Sequence, residues 1–214
     1  MPADPRDYEV EHAHGGMSRW AYEDDPKRLC FHLARYKHTA KLLDGFGRVL
    51  EVGCADGFGT RIVRQHVGEL VAIDEDERSI DEAILASSSS WPVTFVRGTI
   101  QELFRLSSSK FDAVYALDVL EHVAPDEDFL RDMAAIAPVA VLGTPSKESQ
   151  QHASAMSRLG HVNCYSGADL RRRLHEFWDQ VFLFTMHDEI LGTGYYPMAH
   201  YLLALCVGGK IRNT

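Results

Sequence analysis

No stretch of this chain approaches the ~20 consecutive apolar residues needed to cross a bilayer. Its opening segment, MPADPRDYEVEHAHGG, lacks the basic patch and apolar run of a secretion signal. A cytoplasmic location and no membrane partner are therefore expected. Cysteine is scarce and scattered: Cys30, Cys54, Cys164 and Cys206 form no C-x-x-C pair, so neither a zinc ribbon nor a disulfide framework is suggested. Basic charge is also short. The 22 Lys and Arg against 31 Asp and Glu give a formal charge of −9, which argues against a large phosphate-binding surface and hence against a nucleic-acid partner. No H-x-x-x-H or paired-acid spacing specific to a metal site is found, and no metal is expected. Internal repeats are missing as well.

What is present suits one compact enzyme-sized unit, 214 residues with 45% hydrophobic content. Residues 1–26 are polar and rich in Pro, Asp and Gly and read as an N-terminal arm, leaving 27–214 as a single domain. Apolar residues at Leu29, Leu33, Tyr36, Ala40 and Leu43 form a helical stripe over 26–43. Thereafter strand-like and helix-like segments alternate: strands at 49–52, 70–74, 93–96, 113–117 and 139–142, helices after Gly59 and at 80–86, 100–104, 126–136 and 168–177. Such alternation means a parallel sheet with crossover helices. The serine runs at 87–90 and 107–109 read as surface loops. Three consecutive arginines, Arg171 to Arg173, cannot share one helix face and read as a largely solvated surface.

The segment RVLEVGCADGFG, residues 48–59, is a short apolar strand that breaks into a glycine loop and then a helix. Glycines there allow a tight turn and let a ligand lie against bare backbone, at the strand end where open α/β sheets bind. The dinucleotide pattern G-x-G-x-x-G fails, because Ala55 and Phe58 occupy its second and third glycine positions. Glu51 and Asp56 flank the loop instead. Carboxylates favour a cationic ligand over a pyrophosphate.

EVGCADGFG, VAID, FDAVYALDVLEHV and VAVLGTPS, in that order, resemble the class I S-adenosylmethionine-dependent methyltransferases over roughly residues 35–207. The resemblance implies a Rossmann-like, mostly parallel seven-stranded sheet with helices on both faces, closed by a C-terminal antiparallel hairpin formed from VFLFTMH and HYLLALCV. It implies S-adenosyl-L-methionine as cofactor and S-adenosyl-L-homocysteine as product. Carried over by position, Gly53, Cys54, Ala55 and Gly57 would line the methionine part, with the flanking acids Glu51 and Asp56. Asp74, with Glu75 beside it, would hold the ribose hydroxyls; Asp74 is equally placed to cap the following helix. Thr99 stands where many relatives have an aspartate, so Thr99, Ile100 and Gln101 would line the adenine. Leu117 and Asp118 would meet the methionine portion again.

Methyl transfer needs a base only when the acceptor carries a proton, and histidine suits that task because its pKa is near neutral. His122 and His161 are the catalytic candidates, the second because TPSKESQQHASAMSRLG before it reads as a long loop of the kind that carries substrate contacts. His187 and His200 follow, with His200 reading as a buried strand histidine. Trp20 and Tyr22 could close over a ligand or anchor the arm, and Arg35 could meet the cofactor carboxylate or lie solvated. The 192–197 loop resembles a lid. The acceptor is expected to be a small molecule methylated at a hydroxyl oxygen. Two other readings stay open: methylation of protein or RNA, and a cofactor-binding regulatory or scaffold subunit without turnover. A homodimer is compatible with the sequence, which does not fix the oligomeric state.

Overall fold

The computed structural model describes residues 15–106, 111–152 and 160–210. Strands β1 (Arg48–Val52) and β4 (Ala113–Leu117) are buried at nearly every position because helices cover both faces of the sheet they centre. On one face, Val49, Tyr115, Leu117, Val141 and Leu203 pack against Tyr36, Ala40 and Leu43 of helix α2 (Pro26–Leu42) and its end, and against Val63 of the short α3 (Thr60–Arg64). On the other, Leu50, Val114, Ala116, Leu142 and Ala204 meet Phe129, Leu130 and Met133 of a later helix, α6 (Asp126–Ile136).

Between α3 and α6 run β2 (Glu69–Asp74), α4 (Glu77–Leu85), β3 (Thr94–Arg97) and α5 (Ile100–Leu106). After α6 come β5 (Val139–Pro145), α7 (Gly167–Leu174), β6 (Trp178–His187), β7 (Ile190–Gly192) and β8 (Tyr201–Gly209). The sheet order is β3-β2-β1-β4-β5-β8-β6-β7. Pairs from β3 to β5 are parallel, while β8 runs antiparallel to both β5 and β6. The α/β class, the mostly parallel sheet and the C-terminal antiparallel pair are all present. The strand count differs from the expected seven: a short eighth strand, β7, pairs with the end of β6 through Thr185, Met186 and His187. Its three residues lie within the expected connection between the last two long strands, too short a run to stand out by alternation.

Residues 16–24, within the expected arm, form helix α1 (Gly16–Asp24). Its N-cap, Gly15, has no side chain to satisfy the free N–H groups. Carboxylates from distant segments do so instead: Asp56 accepts from Ser18 N (2.8 Å) and Ser18 Oγ (3.1 Å), and Glu82 accepts from Gly16 N (2.6 Å). α1 is thereby fastened to the glycine loop and to α4. The arginine run on α7 is surface, as expected, although Arg173 pairs with Asp126 at 2.8 Å. No helix among the described residues is long and apolar enough to cross a membrane. The serine loop at 107–109 lies outside the described residues.

Trp178 at the start of β6 is fully buried in the cluster that joins the antiparallel strands to α6 and α7. Trp178→Ala is expected to cost about 3–5 kcal/mol. Chemical denaturation checks this, and a loss below about 1 kcal/mol would show that the site collapses without a cavity.

Candidate functional site

β1 has β2 on one side and β4 on the other, so the chain leaves their carboxyl ends in opposite directions and opens a crevice there. Two cavities fill it, of 510 Å³ and 440 Å³. Both are bordered by Gly53, Ala55, Asp118 and His122. These residues sit on unusual backbone: Gly53 (φ 78°), Ala55 (φ 47°) and Asp118 (φ 58°) are left-handed. For Ala55 and Asp118 this conformation costs of order 1–2 kcal/mol each, and such strain gathers at binding sites. A side chain on Gly53 would strike Val119 at 2.3 Å, which explains that glycine by packing as well as by φ.

The larger cavity runs from Asp74, Glu75 and Asp76 past Gly98, Thr99, Ile100 and Gln101 to Asp118 and His122. Asp74 accepts from Ala55 N (2.8 Å) and Asp76 N (3.0 Å), so its carboxylate ties the glycine loop to the end of β2 while lining the cavity. The cap of α4 is Asp76, which accepts from Ser79 N and Oγ, rather than Asp74. Thr99 accepts from Glu102 N and its own N–H meets the Glu102 carboxylate, a closed capping box at the start of α5. Asp74, Glu75, Thr99, Ile100, Gly53, Ala55 and Asp118 are thus brought together on one wall.

The smaller cavity lies under α1 and α2, lined by Trp20, Phe31, His32, Arg35, Cys54 and Leu117 among others. Trp20 is 54% exposed and stacked under Arg28, and Tyr22 is exposed, so neither anchors the core. Arg35 is not a solvated helix arginine: it donates to Asp118 at 2.6 Å and lies 3.9 Å over the Tyr201 ring. His32 was missed by sequence reasoning. It is largely buried beside Tyr36, and burial holds its imidazole below the usual value. Arg28, His32, Arg35 and Tyr36 share one face of α2, and that i, i+4, i+7, i+8 spacing was the available signal.

Two of the predicted residues, Gly57 and Glu51, serve from behind. Gly57 faces Phe95 and Ala83, where an added side chain would meet atoms at 2.7–3.0 Å, and it borders neither cavity. Asp56 borders the smaller cavity with its oxygens directed to Ser18 and Phe58. Glu51, 1% exposed, accepts from the Tyr36 hydroxyl at 2.9 Å. Burial pushes the Glu51 carboxyl up to about 7, against the downward pull of neighbouring hydroxyls of Thr60, Tyr115 and Tyr36.

The two candidate histidines come together, with ring centroids 5.0 Å apart. His122 ends a 3-10 turn (Leu120–His122) just after β4, and His161 arrives from the segment beyond β5. Burial and the neighbouring His122 hold the His161 imidazole below its usual value. Glu121, on the same turn, is 1% exposed and accepts from the Thr144 hydroxyl at 3.0 Å. Part of the loop expected before His161 is a second 3-10 turn, Lys147–His152; residues 153–159 lie outside the described residues. His187, His200 and Asp188 border neither cavity. His200 accepts from Asp188 N but leaves Nε2 buried without a partner. The 192–197 loop is not a lid over this crevice: Gly192 belongs to β7, and Tyr196 packs over Gly167 at the start of α7.

Residues 50–137 match the family model described as a methyltransferase domain. The ubiquinone biosynthesis O-methyltransferase of Alkalilimnicola ehrlichii is 32% identical over 128 residues, 56% of this chain and 50% of that protein. The mitochondrial protein of that name from Arabidopsis thaliana is 26% identical over 137 residues, 60% of this chain and 41% of that one. The chain therefore spans about half the length of the curated relatives it matches. Magnesium protoporphyrin IX methyltransferase from Synechocystis, solved with S-adenosylhomocysteine bound, aligns with TM-score 0.66 and 18% identity over 91% of this chain and 94% of that one. At that identity the likeness is one of fold.

Glu51 gives a pH test. Its folded pKa lies above the unfolded value of 4.5, so the unfolded chain releases this proton first and stability falls as pH rises from about 4.5 to about 7. The wild-type minus Glu51→Gln difference in unfolding free energy should drop by on the order of 3 kcal/mol across that window. A flat difference would show Glu51 ionised in the folded chain at all these pH values.

Proposed function

We propose that this chain, which carries a methyltransferase domain of the class I S-adenosylmethionine-dependent family, moves the methyl group of S-adenosyl-L-methionine to a hydroxyl oxygen of a small molecule. The observation that carries the reading is the meeting of two cavities at Gly53, Ala55, Asp118 and His122. One is long and acid-ended and the other aromatic-walled, so a donor and an acceptor can face each other across shared residues.

In the larger cavity, Asp74 accepts hydrogen bonds from the ribose hydroxyls with the lone pairs its two backbone contacts leave free. The Gly98–Gln101 segment holds the adenine, and Gly53–Ala55 together with Leu117 and Asp118 holds the methionine portion. The carboxylates of Asp74 and Asp118 give this wall a negative field that suits a sulfonium cation. The acceptor enters between α2, α1 and the His122 turn. Transfer is an in-line substitution: the acceptor oxygen attacks the methyl carbon as the carbon–sulfur bond breaks and its electron pair returns to sulfur. Positioning alone can supply about 7–11 kcal/mol of the barrier. One imidazole of the His122–His161 pair accepts the hydroxyl proton as the oxygen attacks. The similarity to O-methyltransferases of quinone biosynthesis supports oxygen as the methylated atom. An acidic chain with a formal charge of −9 supports a small molecule rather than RNA. The protein is proposed to work in the cytoplasm as one domain, residues 27–214, preceded by the segment that contains α1.

Two measurements test this. Asp74→Ala should weaken S-adenosylhomocysteine binding by about tenfold to a hundredfold, the worth of charge-assisted hydrogen bonds; unchanged affinity in calorimetry removes the ribose assignment. Labelled methyl transfer across a panel of hydroxyl-bearing metabolites should find an acceptor, and His122→Ala should lower kcat by about 10²–10⁴. Cofactor binding with no transfer to any acceptor would identify a non-catalytic subunit instead.

A further inference from the structure

Arg35 makes one hydrogen bond among the described residues, from Nη1 to Asp118 at 2.6 Å, and Nε is buried without a partner. A guanidinium offers five N–H donors in a planar fork, so most of the capacity of this one is unspent. Stacking fixes the plane of the fork, because the guanidinium carbon lies 3.9 Å from the centre of the Tyr201 ring. The side chain borders the smaller cavity and not the larger one.

Charge decides what such a fork would hold. Asp118 borders both cavities, and in the protein alone Arg35 compensates it. A sulfonium donor in the larger cavity brings a second positive charge to the same carboxylate. Two cations then flank one acid, and positive charge is in excess on the side of the smaller cavity. The other groups there do not cancel it. Asp56 is spent on Ser18 N, Ser18 Oγ and Phe58 N. His32, one turn before Arg35, is held neutral by burial. Arg28 at the mouth is balanced by Asp24 at 2.7 Å and lies 5.5 Å over the Trp20 ring.

The remaining wall is aromatic. Trp20, Phe31 and Tyr36 border a volume of 440 Å³, within the ~300–1,000 Å³ of small-molecule clefts. We propose that the smaller cavity takes a hydroxylated aromatic carboxylic acid, with its carboxylate on Arg35 and its hydroxyl at His122, and that Arg35 selects an anionic acceptor over a neutral one. That this ligand is the methyl acceptor rests on the methyl-transfer reading. Carboxylate and hydroxyl belong to one ring, because Arg35 is bonded to Asp118, which shares the junction of the cavities with His122. Binding is coupled through Asp118: a cationic donor strengthens the hold on the carboxylate, and the carboxylate strengthens the hold on the donor by the same factor.

The test uses the full chain and the monohydroxybenzoate isomers, each against its methyl ester, with affinities read by ligand-observed NMR titration. With sinefungin bound, a donor analogue that carries an ammonium in place of the sulfonium and transfers nothing, one benzoate should bind about tenfold tighter than its ester. With S-adenosylhomocysteine, whose thioether is neutral, that preference should shrink by about threefold or more. Arg35→Lys keeps a charge beside Asp118 and loses the fork, so it should cut the preference by about threefold or more while keeping its melting transition. Esters that bind as tightly as the acids, or a preference equal with both donor analogues, overturn the anionic acceptor. An Arg35→Lys variant with weakened S-adenosylhomocysteine binding and an intact benzoate preference assigns Arg35 to the donor's own carboxylate and overturns it as well. Methyl transfer to neutral phenols alone overturns the carboxylate site and leaves the methyl-transfer reading standing. Benzoate selectivity without transfer to any hydroxyl compound leaves the site standing and removes the methyl-transfer reading.

Discussion

The constraint on which this molecule depends is the reversal of winding between β1 and β4. Two neighbouring parallel strands send their chains away in opposite directions, so no crossover covers their carboxyl ends. The gap must be bordered by backbone that turns at once, which is why Gly53, Ala55 and Asp118 adopt left-handed conformations there. The buried strands beneath make the strain affordable: both faces of the central sheet are packed, and loop movement would expose them.

Carboxylates at this opening divide into two kinds. Asp56 and Glu51 act inward, one fastening α1 and the other buried against Tyr36. Asp74 and Asp118 act outward on the cavities, each also held by a protein partner, Ala55 N and Arg35 respectively. Holding an acid by one group while leaving its remaining lone pairs free fixes its direction without cancelling its charge. The same economy recurs at His122, where Nδ1 meets the Gly160 carbonyl and Nε2 is left for chemistry.

Most of the fold was legible in the sequence because burial on both faces writes itself as apolar runs. Val49 to Val52 and Ala113 to Leu117 could be read from hydrophobicity alone, and their alternation with helical stripes implied a parallel sheet. β7 was not legible, since three half-exposed residues have no period to show. Nor was α1: its first turn is capped by Asp56 and Glu82, residues 38 and 66 positions away from their partners, so no local signal announces it. The candidate site was legible in part. Residues at strand ends border the crevice, whereas Gly57 borders neither cavity: a glycine needed for packing against Phe95 looks the same in sequence as one needed for a ligand.

The sequence by itself determined the parallel sheet, the glycine loop at the end of β1 and the kind of ligand that its acids and glycines suit, because each of these is set by residues close together along the chain. The tertiary structure alone decided which acids face the crevice, which histidines meet, and that His32 and Arg35 line a second cavity. Those outcomes depend on contacts between segments tens of residues apart, such as the bonds joining Glu121 to residues 162 and 163. Pattern within one segment carries no record of which distant segment it will touch.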